Sequence, residues 1–282
     1  MTESELRDFL SSHGLADSQT ALRTLKGGYL NTVWRVDTGD LCFVAKEFAK
    51  PMAGTLFPNL PEDEAEALHR LAGLDVAPDL VGFWPDASLL VYDYVEADMW
   101  SGDMQGVAQL LLRKEAADPT GFRAVPLAIP DIIAEGDALF ARCTSPPCAS
   151  APPVADVPPP QKFSLIHTDI GVNLVGEGSG LRLIDWQCPA IGDICEDIYS
   201  FLSPAFQILG ERASLTDAQV RDFWDALARP DLEERYDLLR PAYAWRFAGY
   251  CAWRADVLED AAICARYRRA LAEELIYMGH QA

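Results

Sequence analysis

Apolar positions change their period several times along the chain, and each change predicts a different element. Near the start, Leu6, Phe9 and Leu10 share one face of a 3.6-residue repeat, which predicts a short amphipathic helix over residues 3–13. From Leu25 the composition turns β-rich: Asn31–Val36 and Leu41–Lys46 predict two strands, joined by a turn at Asp37-Thr-Gly-Asp40. A Gly27-Gly28 pair stands just before the first strand. Ala65, Leu68 and Leu71 recur at spacings of three, predicting a helix over Glu62–Gly73 that the glycine stops. Further strands are expected at Leu80–Trp84 and Leu89–Val95, so this part reads as a small antiparallel sheet with one main helix.

Beyond Val95 the pattern is mainly helical, with helices expected over Val107–Ala116 and Ile132–Cys143. Residues 143–160 hold 7 of the 19 prolines, which predicts an extended surface connection without a core of its own. Two apolar strands follow, Phe163–His167 and Leu181–Asp185. Thr216-Asp-Ala-Gln219 is a capping box ahead of a helix whose apolar face is Val220, Phe223, Trp224 and Leu227. Tyr243, Trp245, Phe247, Tyr250 and Trp253 lie on a helix-like stretch after Pro241. They read as helix core; the rival reading makes one or two of them, with Trp100, the wall of a binding pocket. The expected class is α+β and bilobal: a small sheet lobe over residues 1–95 and a larger, mainly helical lobe over residues 96–282.

Composition narrows the partners. The 282 residues include 23 Lys+Arg against 43 Asp+Glu, a net charge of -20. The acidity is global, with 7 bases against 15 acids in residues 1–95 and 16 against 28 in residues 96–282. Without a basic face to neutralise phosphates, binding of nucleic acid is not expected. The charge leans toward a cationic small molecule, although Arg246 and Arg254 in the aromatic stretch would suit an acidic or phosphorylated one. The seven cysteines show no C-x-x-C spacing, so neither a zinc ribbon nor a disulfide framework is expected. The first residues are acidic where a signal peptide needs a basic start, and no apolar run reaches the ~18 residues of a membrane span. A cytoplasmic protein with reduced thiols and no membrane partner is expected.

The chemistry concentrates between residues 163 and 197. His167, Asp169, Asn173 and Asp185 sit on or beside the two apolar strands, and residues 169–197 carry six acids against one base, Arg182. An Asn carbonyl and an Asp carboxylate are the hard oxygen donors that magnesium takes alongside phosphates and water, and a further carboxylate left free could accept a hydroxyl proton. His167 reads as a packed structural residue hydrogen-bonded within the loop, since none of the four histidines is paired with another.

His167-Thr-Asp169-Ile-Gly-Val-Asn173, followed by Leu183-Ile-Asp185-Trp, resembles the catalytic loop and metal-binding segment of the aminoglycoside phosphotransferase and choline kinase-like family, relatives of protein kinases. The resemblance implies that Asp169 orients the acceptor hydroxyl, that Asn173 and Asp185 hold the metal, and that Asp197 braces the catalytic loop. It extends to the N-terminal half. Lys26-Gly-Gly-Tyr-Leu-Asn-Thr-Val-Trp34 is similar to the family's nucleotide-covering hairpin, which assigns Gly27 and Gly28 to the nucleotide; Val44-Ala-Lys46 matches its phosphate-contacting lysine, and Glu64 that lysine's helix partner. Glu66 is the rival partner, but residues 64 and 66 face different sides of a helix. Leu89–Val95 falls where the hinge should run, so the backbone of Asp93, Tyr94 and Val95 is expected to bind adenine.

The resemblance implies a kinase using ATP and Mg2+ that phosphorylates a hydroxyl of a small metabolite such as an amino alcohol, aminoglycoside or sugar. Residues 1–95 would form the nucleotide-binding lobe and residues 96–282 the catalytic and acceptor-binding lobe. The sequence departs from the family pattern in two places. Three residues separate Asp169 from Asn173 where four are usual, a shortening that Gly171 is expected to absorb, and Thr168 replaces a common Gly or Arg. The short loop motivates the alternative of a catalytically silent nucleotide-binding module.

Overall fold

The structure, a computed structural model, describes residues 1–25, 31–50 and 55–279. Its N-terminal half is built on a five-stranded antiparallel sheet of order β1-β2-β3-β5-β4, formed by β1 (Ala21–Thr24), β2 (Thr32–Asp37), β3 (Cys42–Glu47), β4 (Leu80–Trp84) and β5 (Leu89–Asp93). Both faces of the central strands are buried, so their period-2 alternation sorts residues between two cores. Trp34, Val36, Phe43, Ala45, Leu89 and Val91 pack with Leu6 and Leu10 of α1 (Glu3–Ser12). Val44, Leu90 and Tyr92 point the other way, into the core shared with Ala65, Leu68 and Leu71 of α2 (Pro61–Leu71). That alternation also sends Lys46, two residues after Val44, toward α2.

The C-terminal half consists of α3 (Met104–Lys114), α4 (Ile129–Phe140), α5 (Ile194–Leu202), α6 (Pro204–Leu209), α7 (Asp217–Leu227), α8 (Pro230–Val257) and α9 (Ala261–Gly279). From Leu239 to Trp253 helix α8 is buried on nearly every side, and Tyr236, Leu239, Tyr243, Phe247 and Cys251 lie in one continuous core. It crosses α4 at two glycines: a Cβ on Gly249 would meet the Gly136 carbonyl oxygen at 2.7 Å, and a Cβ on Gly136 would lie 3.0 Å from the Arg246 Cα. Only hydrogen atoms allow that approach. Pro241, expected ahead of the aromatic helix, lies inside it. Packing on both flanks tolerates the hydrogen bond that proline cannot donate.

Short strands flank the chemical segment: β6 (Ser164–Ile166) pairs with β9 (Ala190–Gly192), and β7 (Leu174–Val175) with β8 (Arg182–Leu183). The two strands expected from the sequence are thus shorter and do not pair with each other. Edge strand β1 was not expected, because its residues show no apolar alternation and remain partly exposed. The Thr216 capping box forms as expected, with Gln219 N–H donating to Thr216 Oγ1 at 3.3 Å. Residues 144–160 carry no helix or strand. No helix among the described residues is long and apolar enough to cross a membrane.

Glu274 of α9 is a buried carboxylate far from the sheet lobe. It accepts from Tyr199 Oη at 2.5 Å, Ser203 Oγ at 2.7 Å and the Ala205 N–H at 3.3 Å. Burial outweighs these donors and pushes its carboxyl up from 4.5 to about 7. The folded form therefore binds the proton more tightly than the unfolded chain does, and this group costs stability as pH rises from about 4.5 to about 7. Glu274→Gln should remove that cost: its melting temperature relative to the parent is expected to rise by several degrees between about pH 5 and pH 8. A thermal melt series across that range measures it.

Candidate active site

Two turns of α5 hold the loop that carries Asp169. Asp197 and Ser200, three apart and on one face of α5, accept the loop's backbone amides: His167 N–H at 3.0 and 3.1 Å, Thr168 N–H at 2.9 Å, and Ile170 N–H, which bonds to Ser200 Oγ at 3.1 Å. The bracing role expected for Asp197 is what its geometry provides. Its charge is matched by Lys114 Nζ at 2.9 Å, with both side chains fully buried, and Lys114 also donates to the Leu165 carbonyl at 2.6 Å. Lys114 was not singled out from the sequence. Its signal was its place on the apolar stripe of α3, four positions after Leu110 and three after Leu111, where a lysine must find a buried anion.

The loop's backbone is bent at an unexpected residue. Thr168 has φ 69° and Asp185 φ 63°, both left-handed, whereas Gly171 is not among the positive-φ glycines. The shortened loop is thus not relieved by unusual angles at Gly171. That glycine is needed for space: a Cβ there would sit 2.6 Å from the Ser200 carbonyl oxygen and from the Phe206 Cβ. Thr168 is pinned in the left-handed region by its N–H bond to Asp197 and by its hydroxyl on the Cys188 carbonyl at 3.1 Å.

His167 is fully buried, edge-on to Trp186 at 4.6 Å, and burial pushes its imidazole down to about 4. It is therefore neutral. Its Nδ1 accepts from the Asp169 N–H at 3.2 Å, which leaves Nε2–H to donate to the Ile184 carbonyl at 3.0 Å. The histidine thus ties Asp169 to the strand that leads to Asp185, the structural role expected of it. Asn173 closes the turn: its side-chain amide donates to the Asp169 carbonyl at 2.7 Å and its own carbonyl accepts from Ile184 N–H at 2.9 Å. With its NH2 committed, the amide oxygen is the atom left to act as a ligand. Burial, and then the neighbouring Asp185 charge, push the Asp169 carboxyl up to about 7.

The sheet lobe reaches this site through Lys46. Its ammonium is 2% exposed, lies 2.6 Å from Glu64 Oε2 and also bonds Asp185 Oδ1. Burial alone would lower its pKa, but Asp185 and Glu64 outweigh that and raise it, so the ammonium is held charged. Glu66 faces outward and pairs with Arg70 at 2.5 Å, which decides between the two acids in favour of Glu64.

An amide cluster missed by sequence reasoning adds a second tie. Asn31 Nδ2 donates to Asn59 Oδ1 and to Gln187 Oε1, both at 2.9 Å; Asn59 Nδ2 returns to Asn31 Oδ1 at 2.8 Å; and Leu60 N–H bonds the Gln187 carbonyl at 2.9 Å. It joins the base of β2, the start of α2 and the residue two beyond Asp185.

Gly27 and Gly28 lie outside the described residues. Asp93, Tyr94 and Val95 leave the end of β5: Asp93 N–H bonds Asp79 O at 2.9 Å, Tyr94 N–H bonds Cys42 O at 3.0 Å, and the Val95 carbonyl accepts from Ala97 N–H at 3.0 Å. Arg35 stacks on the Tyr94 ring at 4.3 Å. The aromatic set of α8 is buried throughout, as core residues are. Trp100 packs on Phe201 at 5.4 Å and its indole N–H is used on the Asp103 carbonyl, so it is not among the residues lining the cavity beside Thr168, whereas Phe247 is. Arg246 faces inward, but it is matched by Glu196 at 2.5 Å and Glu135 at 3.3 Å. Arg254 lies 5.7 to 6.0 Å from the rings of Trp253, Tyr267 and Tyr250.

No family model matches the chain, and no curated protein does. Solved structures do match, over nearly its whole length. The choline kinase LicA from Streptococcus pneumoniae covers 98% of this chain and 99% of its own at 17% identity, with a TM-score of 0.65. A choline/ethanolamine kinase family protein from Mesorhizobium loti covers 99% of both chains at 17% identity, TM-score 0.64. The aminoglycoside phosphotransferase APH(4)-Ia covers 99% of this chain and 100% of its own at 15% identity, TM-score 0.62. The chain therefore has the bilobal, kinase-like fold of these small-molecule phosphotransferases, and the resemblance read from its motifs holds for the fold from end to end.

Two substitutions test the ties. Lys114→Met strands the buried Asp197 carboxylate and should cost about 3–5 kcal/mol, with Asp197→Asn in the same chain recovering part of the loss in a denaturant titration. Gln187→Leu removes the acceptor of Asn31 and should cost about 1–2 kcal/mol, whereas Gln187→Glu, which keeps an acceptor oxygen, should cost less.

Proposed function

We propose that this protein is an ATP-dependent kinase that transfers the γ-phosphoryl group to a hydroxyl of a small molecule. The single observation that supports this most is the convergence of Lys46, Glu64 and Asp185 with the Asp169–Asn173 loop, since it gathers a held ammonium, two hard oxygen donors and a further carboxylate in one place. The fold shared with choline kinase LicA and APH(4)-Ia supports the same reading.

Residues 1–95 take the nucleotide and residues 96–282 the acceptor. The backbone of Asp93, Tyr94 and Val95 receives the adenine, and Gly27 and Gly28 let the hairpin approach the phosphates. Lys46, kept charged and aimed by Glu64, binds a phosphate oxygen. The free Asn173 amide oxygen and the one-third exposed Asp185 carboxylate form a hard donor set that fits magnesium. Bound there, magnesium would neutralise phosphate charge; Asp185 is shared with Lys46, so the two cations would flank the same polyanion. Asp169 orients the acceptor hydroxyl and takes its proton as the oxygen bonds to the γ-phosphorus and the bond to the ADP oxygen breaks. Little covalent chemistry is asked of the protein; positioning and charge supply the rate.

The silent-module alternative rests on the short Asp169–Asn173 loop. Against it, Asn173 still reaches back to the Asp169 carbonyl, so three intervening residues close the turn. Asp169→Asn should lower ATP-dependent phosphorylation by about a thousandfold or more while leaving magnesium-dependent stabilisation by ATP within about twofold in apparent affinity. Turnover unchanged by that substitution would refute the role. Stabilisation by ATP without turnover on any acceptor would favour the silent module.

A further inference from the structure

Beside Thr168, one residue from Asp169, lies a cavity of about 70 Å³ whose lining includes Phe57, Phe206, Phe247, Arg246, Glu196 and Arg123. Glu135 also borders it. Two guanidinium groups and two carboxylates cancel, so this is a locally neutral spot in a chain of net charge -20. Arg246 and Glu196 are 5% and 4% exposed. Three polar atoms on these side chains are nevertheless buried without a hydrogen-bond partner: the donors Arg246 Nε and Arg123 Nε, and the acceptor Glu196 Oε2. Such atoms cost free energy unless something pairs with them.

We infer that this cavity is a specificity subsite of the acceptor, and that the acceptor is a neutral polyhydroxylated molecule, a sugar or alditol, one of whose hydroxyls seats between Glu196 and the guanidinium groups. The inference rests on the phosphotransfer reading of Asp169. The chemistry is selective. A hydroxyl donates to Glu196 Oε2 and accepts from an arginine Nε at once. A quaternary ammonium does neither and leaves all three atoms unpaired; a primary ammonium only donates; a carboxylate only accepts and faces Glu196 and Glu135. A site whose buried groups expect a hydroxyl rejects an analogue lacking it. The aromatic wall fits the same class. Phe206 and Phe247 stack at 4.0 Å and Phe57 meets both edge-on at 6.2 and 6.1 Å, so the rings present an apolar wall beside the polar subsite. The cavity's size suits one hydroxylated arm, which leaves another hydroxyl of the same molecule to lie toward Asp169.

The test is calorimetric binding to full-length Asp169→Asn protein with magnesium and ADP, using a panel of neutral pentoses, hexoses and alditols, with choline, ethanolamine and homoserine as charged comparators. At least one neutral probe should bind about tenfold or more tightly than every charged one. Glu196→Gln, which replaces an acceptor oxygen with a donor, should weaken that probe about tenfold while ADP affinity stays within about twofold. Preference for a charged probe, absence of binding by all neutral probes, or an unchanged affinity in a folded Glu196→Gln variant would overturn the inference. Should that variant not fold, the selectivity of the unaltered pocket decides alone. Turnover assays of the parent on the same panel separate the two levels: phosphorylation of choline or ethanolamine alone overturns the subsite and upholds the kinase, whereas neutral-probe binding without turnover on any acceptor upholds the subsite and overturns the kinase.

Discussion

The Asp197 carboxylate is the point from which the chemical loop is hung. It is wholly buried, and a buried carboxylate persists only where donors replace the water it has lost. Here they are Lys114 and the amides of His167 and Thr168. Those amides belong to consecutive residues, so their shared acceptor dictates the path of the chain just before Asp169 and holds Thr168 in a conformation that threonine rarely adopts. His167, fixed by the same bond, passes the constraint forward through its two ring nitrogens. The path of the loop is thus set by the donors that this buried carboxylate needs.

Lys46 plays the corresponding part in the sheet lobe. Glu64 comes from a helix, Asp185 from the far side of the polypeptide, and the ammonium sits between them. The two buried lysines thus act differently. Lys114 is paired with a fully buried carboxylate and a backbone carbonyl, whereas Lys46 shares a carboxylate that is one-third exposed and therefore open to competition from another cation. The amide cluster of Asn31, Asn59 and Gln187 makes the same connection with neutral groups, which hold position without adding charge.

Most of the architecture was legible in periodicity. The helical spacing separated Glu64 from Glu66, whereas Lys46 was singled out through the family resemblance. What escaped was short or non-local. Strands β7 and β9 are two and three residues long, too brief for any period to show, and β1 is an edge whose side chains need not be apolar. The candidate site residues were readable as a motif, but Lys114, Asn31 and Gln187 acquire meaning only when distant segments meet. The shortened loop illustrates the limit well: its missing residue was apparent from spacing, yet Gly171 proved to be needed for space, a demand that depends on where α5 and α6 lie.

The proline-rich passage over residues 143–160 is fastened at both ends, by Thr144 on Asp256 and by Arg235 on the Pro158 carbonyl, while most of the side chains between are exposed. Each doubling of a loop's length costs only about 0.6 kcal/mol in closure entropy. Between its fastenings this is therefore a place where the chain tolerates insertion, tagging or a new pair of termini without disturbing the packed helices beneath.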